Sequence, residues 1–354
     1  MGLNLTDIKT LAVKELCYSC LIEDSVTEIP KPNFDLSIGK LAVGIGRTII
    51  SQNINSNNKR YIVLSSLYLL KAIISNSETK LLLLGEAKKY LRDFSLSGRV
   101  GEIAQGINYL FFQERLNFIE IVDFKIFVRR YINKYPKGSP DFIMTSVPGN
   151  NVILESKGNW TNYPRTNLKN SVKSGLEQCE KGYAWLNSNL YSISISKFYT
   201  SVVRLKDDNT RWTELIYVDP EYSNIENKQK EITFLHFSTW FYFIGLEGIA
   251  ERLKDFKNIR SIDVENLTFN EESILGDDFI LFDIEATKEN YLSCLFACDA
   301  QKARFQFGMS KKVWNCLFDI ADYKDNTRNT IYDLKPYSGK GLDLFKDGTL
   351  IRYK

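Results

Sequence analysis

The stretch that most constrains this chain is residues 139–158, Ser-Pro-Asp-Phe-Ile-Met-Thr-Ser-Val-Pro-Gly-Asn-Asn-Val-Ile-Leu-Glu-Ser-Lys-Gly. Two short runs rich in Ile and Val flank Pro148-Gly149-Asn150, the pattern of a β-hairpin. Asp141 stands at the outer end of the first run, and Glu155 and Lys157 stand at the outer end of the second. Residues two apart on a strand share a face, so Glu155 and Lys157 point the same way. Register decides whether Asp141 joins them. A two- or four-residue loop sets Asp141 opposite Ser156 and turns it to the wrong face. A three-residue loop over Pro148-Gly149-Asn150 pairs Asp141 with Lys157 and gathers all three side chains, with Gly149 or Asn150 supplying the positive φ such a loop needs. Val152-Ile153-Leu154 reads as a strand buried on both faces, and charges that continue such a strand call for a function.

The flanking elements follow a regular order. Val100, Ile103, Ala104, Ile107, Leu110 and Phe111 have the spacing of an amphipathic helix, with Glu102 and Gln105 near its start. Phe118 to Val128 reads as an aromatic and β-branched strand. After the hairpin, Leu168, Val172, Leu176, Cys179, Tyr183, Leu186 and Leu190 form one stripe of a second helix. Tyr191–Leu205 and Trp212–Val218 then read as strands joined by a polar turn at Asp207–Thr210.

Pro140-Asp141 followed by Glu155-Ser156-Lys157, on a helix–strand–strand–strand–helix–strand series over about residues 97–205, resembles the PD-(D/E)XK nuclease superfamily. The resemblance implies an α/β fold with a restriction-endonuclease-like αβββαβ core. Around that core are expected a mostly helical N-terminal region (1–96) and an α+β accessory region (220–354), the core unit itself being 97–219. It also implies that the Ser156 carbonyl joins the metal ligands, that Glu102 serves as an additional acid, and that Gln178 acts as a site glutamine. Tyr183 falls one residue beyond the usual Gln-x-x-x-Tyr spacing.

The chemistry agrees with those residue types. Two carboxylates close together repel and hold protons unless a hard divalent cation lies between them. Mg²⁺, with Mn²⁺ as a substitute, polarises a phosphoryl oxygen and lowers the pKa of bound water. Asp141 and Glu155 are expected as direct ligands, and Lys157 as the group that orients the attacking water or offsets charge on the phosphate. The plain structural alternative is a strand-start cap at Asp141 and an exposed Glu155–Lys157 pair worth under about 1 kcal/mol.

Charge is informative only locally. The net charge of +3 over 354 residues is unremarkable, but residues 125–173 carry nine Lys and Arg against Asp141 and Glu155. That local excess leaves the rest of the chain net negative, and it is the footprint of phosphate-backbone binding. Lys137, Arg165, Lys169 and Lys173 are the expected nucleic-acid contacts, with Trp160 and Tyr163 available for base stacking or for packing.

Other chemistries find little support. His236 is the only histidine, which removes histidine-rich metal sites and His-based nucleophilic catalysis; between Leu235 and Phe237 it reads as a core residue. Cys17 and Cys20 form a lone Cys-x-x-Cys with no second pair, while Cys294 and Cys298 read as buried thiols. Gly39-Lys-Leu-Ala-Val-Gly-Ile-Gly46 lacks the ending of a P-loop. No run approaches 18 apolar residues and no signal-peptide order is present, so a cytoplasmic protein without a membrane partner is expected.

Thr6–Leu21, Tyr61–Ile74 and Lys80–Phe94 read as helices, with a break at Pro30-Lys31-Pro32 and a polar loop at Asn53–Asn58. The C-terminal region reads as a linker (Pro220–Lys230), a helix (Ser238–Lys254), strands at Asp278–Ile284 and Ala303–Phe307, a helix from Ser310 to Ala321, and a hairpin around Asp347-Gly348. The expected function is Mg²⁺-dependent cleavage of nucleic acid, DNA rather than RNA. The additions around the core suggest a prokaryotic restriction or anti-phage defence effector with a protein partner or a second copy. The alternative is a catalytically silent nuclease-fold module that binds nucleic acid or protein.

Overall fold

The computed structural model describes residues 4–17, 27–49, 70–76, 78–84, 93–132, 134–146, 151–160, 165–190, 195–206, 212–219, 230–265, 267–284, 305–318, 334–339 and 341–353. Among them are eight helices and two sheets in a mixed α/β arrangement.

The first sheet has seven strands in the order β2-β1-β7-β6-β5-β4-β3. They are β1 (Ile8–Leu16), β2 (Glu28–Ser37), β3 (Phe118–Asp123), β4 (Phe142–Ser146), β5 (Asn151–Trp160), β6 (Lys197–Leu205) and β7 (Glu214–Val218). Pairing is antiparallel except for β5 with β6 and β1 with β7. Helices α1 (Ile38–Ile49) and α2 (Asp93–Arg115) cover one face; α3 (Phe124–Tyr131) and α4 (Arg165–Asn189) cover the other. From residue 93 the order is thus helix, strand, short helix, two strands, helix, strand.

The second sheet is antiparallel, in the order β11-β12-β13-β10-β9-β8. It comprises β8 (Phe269–Ile274), β9 (Asp277–Ile284), β10 (Phe305–Ser310), β11 (Tyr337–Gly339), β12 (Leu342–Leu344) and β13 (Thr349–Tyr353). Between the sheets runs α5 (Lys230–Phe243), followed by α6 (Glu247–Lys254) and the single turn α7 (Ser261–Val264); α8 (Lys311–Phe318) packs on the second sheet. Phe237, Trp240 and Phe241 of α5 belong to one apolar cluster with Leu154 of the first sheet and Phe282 and Phe307 of the second. A helix apolar all round is a core helix, and α5 is built as one.

Several expectations are corrected. Among its described residues the N-terminal region is not mostly helical: Ile8–Leu16 alternates in burial and lies between β2 and β7, so period two defeats the helical spacing once neighbouring strands are present. Pro30 and Pro32 do not break the chain but lie in β2, an edge strand whose missing N–H groups cost no ladder bond. The Gly39–Gly46 run is buried helix α1, not a phosphate loop. Lys80 bridges to Thr10 and Leu83 to Ile74, so these residues run beside β1 instead of opening a helix. The strand expected over 118–128 ends at Asp123, whose side chain accepts from Ile126 N–H (2.8 Å) and starts α3. The helix expected over 238–254 is two, separated at Gly245 (φ 84°).

The loop at 53–58, most of the helix read over 61–74, the turns at 147–150 and 207–210, the linker before Lys230, Cys20, Cys294, Cys298 and Tyr163 lie outside the described residues. Cys179 and Cys316 are free thiols. No described helix is long and apolar enough to cross a membrane.

Candidate functional site

β5 is central in its sheet, and Val152, Ile153 and Leu154 are buried on both faces. Burying one such side chain fully stabilises by about 1.5–3 kcal/mol, so the register of β5 is firmly set. Phe142 pairs with Leu154, Ile143 with Ile153 and Met144 with Val152. Extended by one residue, this register sets Asp141 level with Glu155, two residues from the expected pairing with Lys157. The parity is unchanged, so Asp141, Glu155 and Lys157 fall on the α4 face with Ile143 and Ile153.

Two close helix approaches fix what surrounds these residues. A Cβ on Gly158 would lie 2.6 Å from the Val100 carbonyl, so α2 crosses directly over the end of β5. A Cβ on Gly182 would lie 2.6 Å from the Pro140 ring, so α4 presses on the residue before Asp141. Each helix thereby delivers polar side chains. From α2, Gln105 Nε2 donates to Asp141 Oδ1 (3.1 Å), and Asn108 Nδ2 donates to Ser156 Oγ (2.7 Å) while its Oδ1 accepts from Ser201 (2.7 Å). From α4, Gln178 Oε1 accepts from Lys157 Nζ. Ser156 N–H donates to Asp141 Oδ2 (2.9 Å), tying the two hairpin strands together at the carboxylate.

Glu155 is 4% exposed, and its two oxygens differ. Oε1 pairs with Lys157 Nζ at 2.6 Å, whereas Oε2 is buried and accepts no hydrogen bond. Burial, followed by the negative charge of Asp141, raises the Glu155 carboxyl to about 7 against the opposing pull of Lys157 and, more weakly, of the Asp141 N–H. Burial likewise raises Asp141 to about 6, with the Ser156 N–H and Lys157 opposing and Asp123 adding to the rise. The two titrate as a pair. Burial also pushes the neighbouring Cys179 thiol well up, which leaves it an inert packing group whose Sγ donates to the Tyr199 carbonyl (3.4 Å).

The remaining expected site residues are distributed as follows. Glu102 is bonded to Arg99 on its own helix (2.8 Å), and no group of three His, Cys, Asp or Glu side chains able to hold a metal occurs among the described residues. Glu102 therefore does not join Asp141 and Glu155, since the turn of α2 that faces them presents Gln105 instead. Lys137 and Lys173 are exposed and Lys169 is half-buried; Arg165 opens α4, and its side chain lies outside the described residues. Trp160 packs against the main core. Gln105, Asn108 and Asp123 were not singled out as site residues. Gln105 falls on the side of the predicted helix away from its apolar stripe and Asn108 beyond the edge of that stripe, so the helical spacing carried no signal for either.

His236 is fully buried, as its apolar flanks suggest. Ile121 N–H donates to its Nδ1 (3.2 Å), and its Nε2–H meets Asp347 Oδ2 at 2.9 Å. Compared with protein-family models, with curated proteins and with solved structures, the chain matches none.

Proposed function

We propose that the protein is a Mg²⁺-dependent nuclease with a restriction-endonuclease-like core, hydrolysing phosphodiester bonds of nucleic acid, DNA in preference to RNA. The observation that carries this reading is the buried, unpartnered Oε2 of Glu155 beside Asp141, on a face that also bears Lys157. A buried carboxylate oxygen with no donor is costly unless a ligand completes it.

The donor set fits a hard cation. Mg²⁺ needs only one or two carboxylates and keeps several waters, so a third acidic side chain is not required. Asp141 and Glu155 would hold it, with the Ser156 carbonyl as the resemblance implies; when bound, it supplies Lewis-acid polarisation and a more acidic water. The protein's own groups do the positioning. Gln105 and the Ser156 N–H fix the Asp141 carboxylate. Gln178 and Glu155 hold the Lys157 ammonium at the site, where it is available to neutralise charge developing on the phosphate. The additions around the core, two N-terminal strands and a second sheet, accord with an effector in prokaryotic restriction or anti-phage defence.

A second reading is favoured by the engagement of Glu102 with Arg99 on its own helix: a silent module of the same fold that binds nucleic acid or a protein partner. Incubation of supercoiled plasmid with Mg²⁺ or EDTA separates the two. Metal-dependent cutting by the wild type, lost in Glu155→Ala and in Lys157→Ala, is the expected result. DNA binding without cutting in any of the three proteins would overturn the nuclease reading in favour of the silent module.

A further inference from the structure

The short helix α3 interrupts the hairpin series between β3 and β4, and it is fastened to the site. Asp123 caps its first turn, and Phe124 N–H donates to the Asp141 carbonyl (2.9 Å). Phe124, Phe127 and Val128 are buried in the cluster that contains Ile143 and Ile153, which orients the helix and turns Lys125, Arg129 and Arg130 outward. Arg130 is diverted to Asp255 (2.7 Å). Lys125 and Arg129, one helical turn apart, both lie over the ring of Tyr135, at 5.6 and 4.8 Å from its centroid, and Arg129 also donates to the Tyr135 hydroxyl (3.2 Å).

Several other cations at the surface are paired instead. Lys254, Lys311, Lys312 and Arg352 each meet a carboxylate within about 3.1 Å. Among the described residues, Lys125 and Arg129 meet none within 4.0 Å. Two like charges at this helical spacing repel by a few tenths of a kcal/mol. Here they are nevertheless held side by side on an aromatic ring, which lowers the entropy lost when they close on an anion. The positive charge of Lys125 is felt at both Asp141 and Asp123, and that of Arg129 at Asp123.

We propose that Lys125 and Arg129, braced by Tyr135, form a clamp for the phosphodiester backbone of a nucleic acid strand, gripping phosphates beside the one presented to Asp141 and Glu155. This assignment rests on the nuclease reading for its substrate but makes a separate demand. A strand that enters over α3 meets the clamp on one side of the carboxylates, while Lys169 and Lys173 belong to α4. The repeated spacing of backbone phosphates suits two cations a single turn apart, and contacts to phosphates carry no sequence information. The clamp is therefore blind to sequence.

Binding of short fluorescent duplex DNA, single-stranded DNA and RNA is measured in EDTA between about 50 and 200 mM salt. The proteins compared are the wild type, Lys125→Gln/Arg129→Gln, Tyr135→Ala, and a control with Lys311→Gln/Lys312→Gln. Melting temperatures verify that all four are folded. The clamp pair is expected to weaken binding and to flatten the slope of log K against log[salt] by about 1.8 on duplex DNA or about 1.4 on a single strand, two phosphates' worth. Tyr135→Ala should weaken binding while leaving the slope near wild type, and the control should behave as wild type.

Wild-type affinity and slope in the clamp pair would overturn the inference, as would a wild type that binds none of the three nucleic acids. Cleavage with Mg²⁺ is followed in parallel. A wild type that cuts while the clamp pair binds unchanged sinks the clamp and leaves the nuclease. A wild type that binds but does not cut, with the slope lost in the clamp pair, sinks the nuclease and leaves the clamp.

Discussion

Asp347 and Glu155 are both buried carboxylates, yet Asp347 is ringed by donors while Glu155 keeps one oxygen bare. Asp347 accepts from His236 Nε2 (2.9 Å), Trp240 Nε1 (2.6 Å), Thr349 N (3.0 Å) and Thr349 Oγ1 (2.5 Å), and Arg47 lies 3.5 Å away. These partners hold its carboxyl well below the usual range even though burial alone would raise it. They also come from α1, α5 and the start of β13, so the charge staples the second sheet to the helices α1 and α5. Glu155 has one cation and a like-charged neighbour, and its carboxyl is raised. A buried charge that is fully partnered serves the fold; one left short of partners is arranged for a ligand.

The sharpest way to break this contrast is to remove each carboxylate in turn. Asp347→Ala leaves Arg47, which is buried and also bonded to Tyr109 and Thr239, without its counter-charge. A loss of about 3–5 kcal/mol is expected in urea unfolding, with cleavage per folded molecule unchanged. A loss below about 1 kcal/mol would show that Asp347 is no staple. Glu155→Gln should do the opposite. Cleavage is expected to fall by about 10²–10³, as when one transition-state-stabilising group is lost. Stability at pH 8 should hold or rise, because a charge that resists burial has been replaced by a neutral amide. A destabilised Glu155→Gln protein would place Glu155 with Asp347 as a structural group.

The two sites also titrate in opposite senses. For Asp141 and Glu155 the folded state holds its protons up to about 6 and about 7, whereas the unfolded chain releases them near 3.8 and 4.5. The folded state binds more protons in that interval, so their contribution lowers stability as pH rises from about 4 to about 7. For Asp347 the folded pKa is depressed; its contribution is complete above the ordinary aspartate range and is lost as pH falls through the folded value. A cation at the first site competes with protons. Mg²⁺ at a hundredfold excess over Kd should therefore stabilise by about 2.7 kcal/mol at pH 8 and by little at pH 5, measured as a melting shift. Glu155→Gln should abolish the shift, and a shift that survives in that variant would place the cation elsewhere.

How much of this was legible in the sequence follows from the range of the forces involved. The hairpin, the apolar stripes of α2 and α4, the β9 and β10 strands and the terminal turn at Gly348 are set by local period and turn chemistry, and they read directly from the residues. The common face of Asp141, Glu155 and Lys157 was legible as a parity, because register can slip by two without moving a side chain to the other side. Long-range pairing was not legible. Residues 8–16 have a spacing that fits a helix as well as a strand, and only the partners β2 and β7, the latter some two hundred residues away, decide between them. On α2, Glu102 pairs with Arg99 while Gln105 meets Asp141: the rotation of the helix is set by Gly158 against Val100, a contact no helical wheel reveals. The break after Asp123 turned on a single capping side chain.

The finest distinction concerns Gln178, which accepts from Lys157 but touches neither carboxylate in any hydrogen bond of the described structure. If it only positions the ammonium, Gln178→Ala removes one charge-assisted hydrogen bond of about 1.5–3 kcal/mol, part of which Glu155 recovers by keeping Lys157 to itself. The expected cost is about tenfold in kcat with KM unchanged, since the lost contact matters most when charge develops on the phosphate. Combined with Lys157→Ala it should add nothing, because a positioning residue has no effect once the residue it positions is gone. A further loss in the double variant, or a change confined to KM, would mean that Gln178 meets the substrate itself. In that case the helix that carries it, α4, would line the substrate path in its own right instead of only supporting Lys157 from behind.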